Sequence, residues 1–222
     1  MKEKISYQHP KILDSSAENV CHAIKVVENG GVAILPADTV YGIFARSDMH
    51  DTVERVYSIK KREKRKPFVI YTNAEKVEMI AYVNDIGRKF INQVWPKALS
   101  LILPKRPIIS NWFTHNKDTI AVMTARNFII SSLVKNIKYP ILGTTVNISG
   151  EPELKKGIDI IRFVDEVDVI IIDDTIPIYN KPSTMIDCTL NPPRIARLSS
   201  LTLRELQKIV PELQVDLSRK IS

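Results

Sequence analysis

The 222-residue chain is 44% hydrophobic and carries 32 Lys and Arg against 25 Asp and Glu, a formal net charge of +7 with a pI near 9.3. A chain this long suits one large domain, residues 1–222, and buries roughly 70% of its unfolded surface, so it needs no disulfide staples. Cys21 and Cys188 fit no metal or redox motif, MKEKISYQHPK lacks a signal peptide's apolar core, and no apolar run nears the ~20 residues of a bilayer span. Secreted disulfide scaffolds and membrane proteins are thereby set aside. The expected compartment is the reducing cytoplasm, and the basic balance favours anionic partners such as nucleotides, phosphates or RNA.

Residues 15–29 are expected to form a helix. Ser15-Ser16-Ala17-Glu18 reads as a capping box, Val20, Ala23, Ile24 and Val27 recur at helical spacing, and Asn29-Gly30-Gly31 ends the run. GVAILP is a strand-type run, followed by a helix over 51–63 that Asp51 can cap. FVIYT (68–72) reads as a strand, and 74–82 and 85–95 as helices. LSLILP (99–104), TIAVMTA (119–125) and PILGTTV (140–146) read as strands, with a helix between the last two. VDVIIID (167–173), TMIDCTL (184–190) and RIARLS follow as strands, and Thr202 to Glu205 caps a last helix over 202–210. The expected fold is α/β: a twisted, open, mixed sheet with flanking helices, its core spanning about 15–200.

Four segments could carry chemistry. PADTVYG (36–42) follows a strand end, where α/β folds place ligands, and it is equally compatible with an ordinary turn. KKREKRKP (60–67) has six basic residues among its first seven, more than compensation of a helix dipole requires. Arg62 and Arg65 could grip phosphate in bidentate fashion, with Lys60 as a point charge. GTTVNISG (143–150) can present hydroxyls, an amide and backbone N–H groups to an anion. KPSTMIDC (181–188), with Arg197 soon after, is uninformative alone. There is no P-loop, GxGxxG, HExxH or GxSxG, and His9, His22, His50 and His115 do not cluster in sequence.

Taken in order, PADTVYG, VYSIKKREKRKPF, WPKALSLIL, TTVNISG, KPSTMID and Arg197 resemble the motifs of the YrdC-like threonylcarbamoyl-AMP synthases, in their short single-domain form. The resemblance runs from about Gly30 to Arg197. It implies a basic concave face and a nucleotidyltransferase that joins L-threonine, bicarbonate and ATP, with Mg²⁺ accompanying the ATP. The products are threonylcarbamoyl-AMP and pyrophosphate. A downstream partner complex then uses the adenylate to modify an adenosine of tRNA. By the same resemblance Lys60 and Arg62 should contact ATP phosphates, with Lys66, Thr145, Asn147, Ser183 and Arg197 completing the ATP site. Lys60, Arg62 and Asn147 are the expected catalytic residues. Thr39, Tyr41, Thr145, Val146 and Ser183 are the expected threonine pocket.

The chain departs from the family pattern at Ala37 (commonly Thr), at Lys97-Ala98 (Gly-Pro) and at Met123 (Arg). A buried carboxylate needs a paired cation, so Arg126 or Lys97 is expected to reach in where Met123 has none to offer. Two other readings stand beside the enzyme. One is an RNA-binding or ribosome-associated module, recognising tRNA or double-stranded RNA through its basic face. The other is a paralogue that makes a different acyl-adenylate.

Overall fold

The computed structural model describes residues 9–38, 40–176 and 182–216. The strands in chain order are β1 (Ile12–Asp14), β2 (Ala33–Pro36), β3 (Tyr41–Arg46), β4 (Val69–Tyr71), β5 (Leu99–Pro104), β6 (Thr119–Met123), β7 (Ile141–Thr145), β8 (Val169–Ile172), β9 (Thr184–Asp187), β10 (Arg194–Arg197) and β11 (Gln214–Val215). The helices are α1 (Ala17–Glu28), α2 (His50–Lys60), α3 (Val77–Ile80), α4 (Asp85–Val94), α5 (Asn111–Thr114), α6 (Phe128–Asn136), α7 (Gly157–Ile160) and α8 (Leu203–Gln207). The strands form one open mixed sheet in the order β1-β8-β2-β3-β7-β4-β6-β5-β9-β10-β11.

Apolar side chains alternate between two cores, one on each face of the sheet. On one face, α2 and α4 bury Val53, Val56, Phe90 and Ile91 against Ile43, Ile70, Leu101 and Leu142. On the other, α1 and α6 bury Val20, Val27, Ile130 and Leu133 against Ala33, Phe44 and Ile141. The second face is only partly covered. Its bare part lies over β3, β7, β4 and β6, and strand registry brings Gly42 beside Thr145, Val69 beside Gly143 and Tyr71 beside Met123.

The sheet and its helices stand where the residue patterns place them, with instructive shifts at the ends. Ser16, not Ser15, caps α1, accepting from the Asn19 N–H. Met49 precedes α2 without a side-chain cap, and Asp51 sits in its first turn. The PADTVYG segment is no loop toward a helix: it turns β2 into β3 as an antiparallel pair, Pro36 opposite Tyr41. β3 escapes the sequence reading because YGIFA is buried throughout and shows no alternation. The edge strands β1 and β11 are too short to show any period.

Gly143 lies under the Tyr71 ring, where an added Cβ would come within 2.3 Å of a ring carbon, and Tyr71 meets Phe44 edge-on at 5.1 Å. Hydrogen at Gly143 is what lets the Tyr71 ring settle against the sheet. Gly143→Ala is expected to destabilise the fold by roughly 1–3 kcal/mol, the usual range for overpacking, read as a lower midpoint in chemical denaturation.

Candidate functional site

The bare part of the sheet floors a cleft of about 750 Å³, counting the space at its mouth. Gly42, Val69, Tyr71, Met123, Gly143 and Thr145 form its base, with Arg62, Glu153, Ser183 and Arg197 around them. Six separate stretches of chain therefore converge on it.

Arg62 follows α2, whose C-cap Lys61 takes a left-handed φ of 47° and turns the chain sharply. The guanidinium is held in shape by its own loop: Nε donates to the Lys66 carbonyl at 2.9 Å and Nη2 to the Pro67 carbonyl at 3.4 Å. The Lys66 carbonyl also accepts from the Tyr57 hydroxyl at 3.2 Å, and His115 Nε2 lies 3.0 Å from that hydroxyl. Burial lowers the Arg62 pKa from its ordinary value.

Arg197 ends β10 next to a register shift that opposes two residues of β10 to one step of β9. Such bulges re-aim a side chain, and here the guanidinium folds onto Ser183. Nε donates to the Ser183 carbonyl at 2.9 Å and Nη2 to its hydroxyl at 3.0 Å, while Ser100 Oγ lies 2.7 Å from Ser183 Oγ. Burial lowers this pKa too. Two arginines thus line one cleft with their charges partly stripped of solvent, a setting that favours an anion.

Lys60 does not point into the cleft. It rises from the opposite face of the sheet and is 2% exposed. Its ammonium donates to the Thr145 carbonyl (2.6 Å), the Asn147 carbonyl (3.0 Å) and Asn147 Oδ1 (2.8 Å). All three protons are committed, leaving none for a phosphate. Asn147 is equally engaged: Oδ1 also accepts from Thr145 Oγ1 at 2.7 Å, and Nδ2 donates to the Glu151 carbonyl at 2.8 Å. Lys60 and Asn147 are the lock that shapes the 145–151 turn rather than groups that line the cleft.

The remaining expected residues divide in the same way. Tyr41 lines the cleft, but its hydroxyl is a clip, accepting from the Asp173 N–H and donating to Asp174 Oδ1, both at 3.0 Å. Burial pushes its phenol pKa up. Val146 belongs to the core on the far face, because strand alternation turns it away from Thr145. Lys66 is solvated and pairs with Glu63 at 3.2 Å. Arg126 is exposed: β6 has ended at Met123, and the Arg126 and Asn127 N–H groups donate to the two Asp38 carboxylate oxygens at 2.6 and 2.7 Å. Lys97 is exposed beside Glu205 instead of reaching the cleft. Thr39 and Lys181 lie outside the described residues. Ala37 and Met123 both line the cleft, so that stretch of wall is apolar. Glu153, a cleft residue, was not singled out in the sequence. Its only signal there was an acid three residues past the glycine of NISG.

Two outcomes test the lock. Burial brings the Lys60 pKa down from 10.5 to about 8. The unfolded chain therefore holds more protons than the folded one between those values, and stability should rise as pH climbs from about 8 toward 10.5. The gain, on the order of 3 kcal/mol, should be missing in Lys60→Met when denaturation curves are compared across that range. Asn147→Ala should cost roughly 2–4 kcal/mol in the same assay, since it leaves a buried ammonium short of an acceptor.

Comparison with known proteins agrees with this architecture. The Sua5/YciO/YrdC family model, described as telomere recombination, matches residues 25–199. A threonylcarbamoyl-AMP synthase of Pyrococcus abyssi is 28% identical over 85% of this chain and 56% of its own length. This chain therefore spans little more than half of that relative. The crystal structure of P. abyssi Sua5 complexed with L-threonine superposes with a TM-score of 0.83 at 26% identity, covering 92% of this chain and 62% of that one. Escherichia coli YciO shares the fold, with a TM-score of 0.76 at 20% identity over 88% of this chain and 96% of its own. With the family model running from the last turns of α1 past the end of β10, the chain belongs to the Sua5/YciO/YrdC family.

Proposed function

We propose that the chain is a cytoplasmic L-threonylcarbamoyladenylate synthase, a nucleotidyltransferase acting on L-threonine, bicarbonate and ATP. The observation that carries this reading is the pairing of Arg62 and Arg197 in one cleft beside the Ser183 and Thr145 hydroxyls. In the reaction bicarbonate loses water to supply CO₂, the neutral threonine amine captures it as a carbamate with release of a proton, a carbamate oxygen attacks the α-phosphorus of ATP, and pyrophosphate leaves. Charge builds on the phosphoryl and leaving oxygens, and preset cations stabilise it there. Arg62 serves this purpose because its loop, braced by Tyr57 and His115, fixes the guanidinium before substrate arrives. Arg197 serves it because two bonds to Ser183 hold it still. No covalent enzyme nucleophile enters the reaction.

Among the described residues no three His, Cys, Asp or Glu side chains gather as metal ligands. Mg²⁺ in this proposal travels with the ATP phosphates, where it would add charge stabilisation. No helix among the described residues is long and apolar enough to cross a membrane. The product, a mixed anhydride, calls for an acceptor nearby, and the proposed one is the complex that modifies tRNA.

Pyrophosphate release should require ATP, bicarbonate and threonine together. Arg62→Ala and Arg197→Ala should each cut kcat/KM by roughly 100-fold, the scale of losing one preset charge donor, while Lys61→Ala should leave it unchanged. Release that responds to another amino acid and ignores threonine would turn the reading to a paralogue. A second reading has its own observation: Lys61, Lys64 and Arg65 are exposed around Arg62 in the loop that follows α2. Salt-sensitive RNA binding indifferent to ATP would favour that one.

A further inference from the structure

Glu153 is out of place in a cleft built for anions. It lines the cavity with Arg62 and Arg197 and is the one carboxylate to do so among the described residues. Triphosphate, bicarbonate and an amino-acid carboxylate would all be repelled by it. Nor is it paired directly with either arginine. Its charge reaches Lys60 and Arg197 through space, yet it forms no ion pair or hydrogen bond with any described residue.

The loop that bears it is nonetheless firmly set. The Leu154 N–H donates to the Val146 carbonyl at 3.2 Å, and the Glu151 N–H to the Ile148 carbonyl at 2.9 Å. Asn147 Nδ2 holds the Glu151 carbonyl at 2.8 Å, and the Gly157 N–H donates to Asp174 Oδ1 at 3.0 Å. Anchors on both sides present the half-buried carboxylate to the cavity. A carboxylate that is held in place, partly desolvated and without a partner is a receptor for a cation.

Resting on the proposed function, we infer that Glu153 is a specificity-determining residue that receives the α-ammonium group of the incoming amino acid. Among the substrates of that reaction the ammonium is the cationic group. A zwitterion needs both signs within the span of one small molecule, and Glu153 beside the cleft arginines supplies both. The apolar wall of Ala37 and Met123 then serves the side chain, not the charges. This assigns ground-state selection of the ammonium to Glu153; the ammonium gives up a proton to solvent before the neutral amine reacts, and Glu153 takes no part in that transfer.

The test is calorimetric titration of the full chain and of Glu153→Gln with threonine, with 2,3-dihydroxybutanoate (threonine with a hydroxyl in place of the amine), and with ATP. Mg²⁺ is titrated separately. The wild-type protein should prefer threonine to the hydroxy acid. Glu153→Gln should weaken threonine on the order of tenfold, leave the hydroxy acid unchanged or tighter, and leave ATP unchanged or tighter. Equal losses for threonine and the hydroxy acid would make Glu153 a merely structural part of the pocket and overturn the inference. Unaltered threonine binding would overturn it too, as would a variant whose one defect is a raised Mg²⁺ requirement. A wild-type protein that binds ATP but no amino acid would overturn the proposed function, and this inference with it. Glu153→Asp, which keeps the charge, should restore part of the preference.

Discussion

Everything at the cleft hangs on a cation that never reaches it. The Lys60 ammonium, buried where α2 meets the end of β7, has its donors satisfied by two backbone carbonyls and one side-chain amide oxygen instead of by a carboxylate. That choice has a cost, visible in its lowered pKa, and a use. Three acceptors from one short turn fix the backbone at residues 145 and 147 more tightly than packing of small residues could. The same α2 runs on into the Arg62 loop, so one helix end sets both the floor of the cleft and its first cation.

The two cleft arginines reach their posts by different means. Arg62 is shaped by hydrogen bonds inside its own loop, with Tyr57 and His115 as outer braces. Arg197 is shaped by partners from a neighbouring strand, after a local bulge has turned it. Neither forms an ion pair with an acid among the described residues, so each keeps most of its charge for the cleft. Asp38, the acid nearest in sequence to the β2–β3 turn, is instead consumed by the start of α6, where two N–H groups claim its oxygens.

The legible part of this structure was the part with local causes. The run LSLILP spells β5 residue for residue, and β6 and β7 fall inside the strands their apolar runs mark out. The basic cluster drew attention to 60–67, but charge alone does not say which cation points where. Lys60 and Arg62 sit two apart at a helix end, and burial versus exposure there depends on which face of the sheet α2 covers, a tertiary matter. Val146 could have been excluded from the pocket on alternation alone, since its neighbour Thr145 faces the other way. Arg126 illustrates the reverse: its fate depended on where β6 stops, and element ends are the least local feature of a strand. Glu153 was invisible because its meaning comes from the arginines around it, which lie far away in the chain.

The order of the sheet carries a consequence for how the molecule comes into being. Strands β3, β7, β4, β6, β5 and β9 are neighbours in space and are drawn from more than half of the chain. Loop closure must be met in entropy before such distant pairings return anything, so the central ladder is slow to assemble. Arg62 is made well before Thr145, and Ser183 and Arg197 follow both. A nascent chain therefore holds one cleft arginine well before the other, and the cleft is incomplete until β9 and β10 have been made.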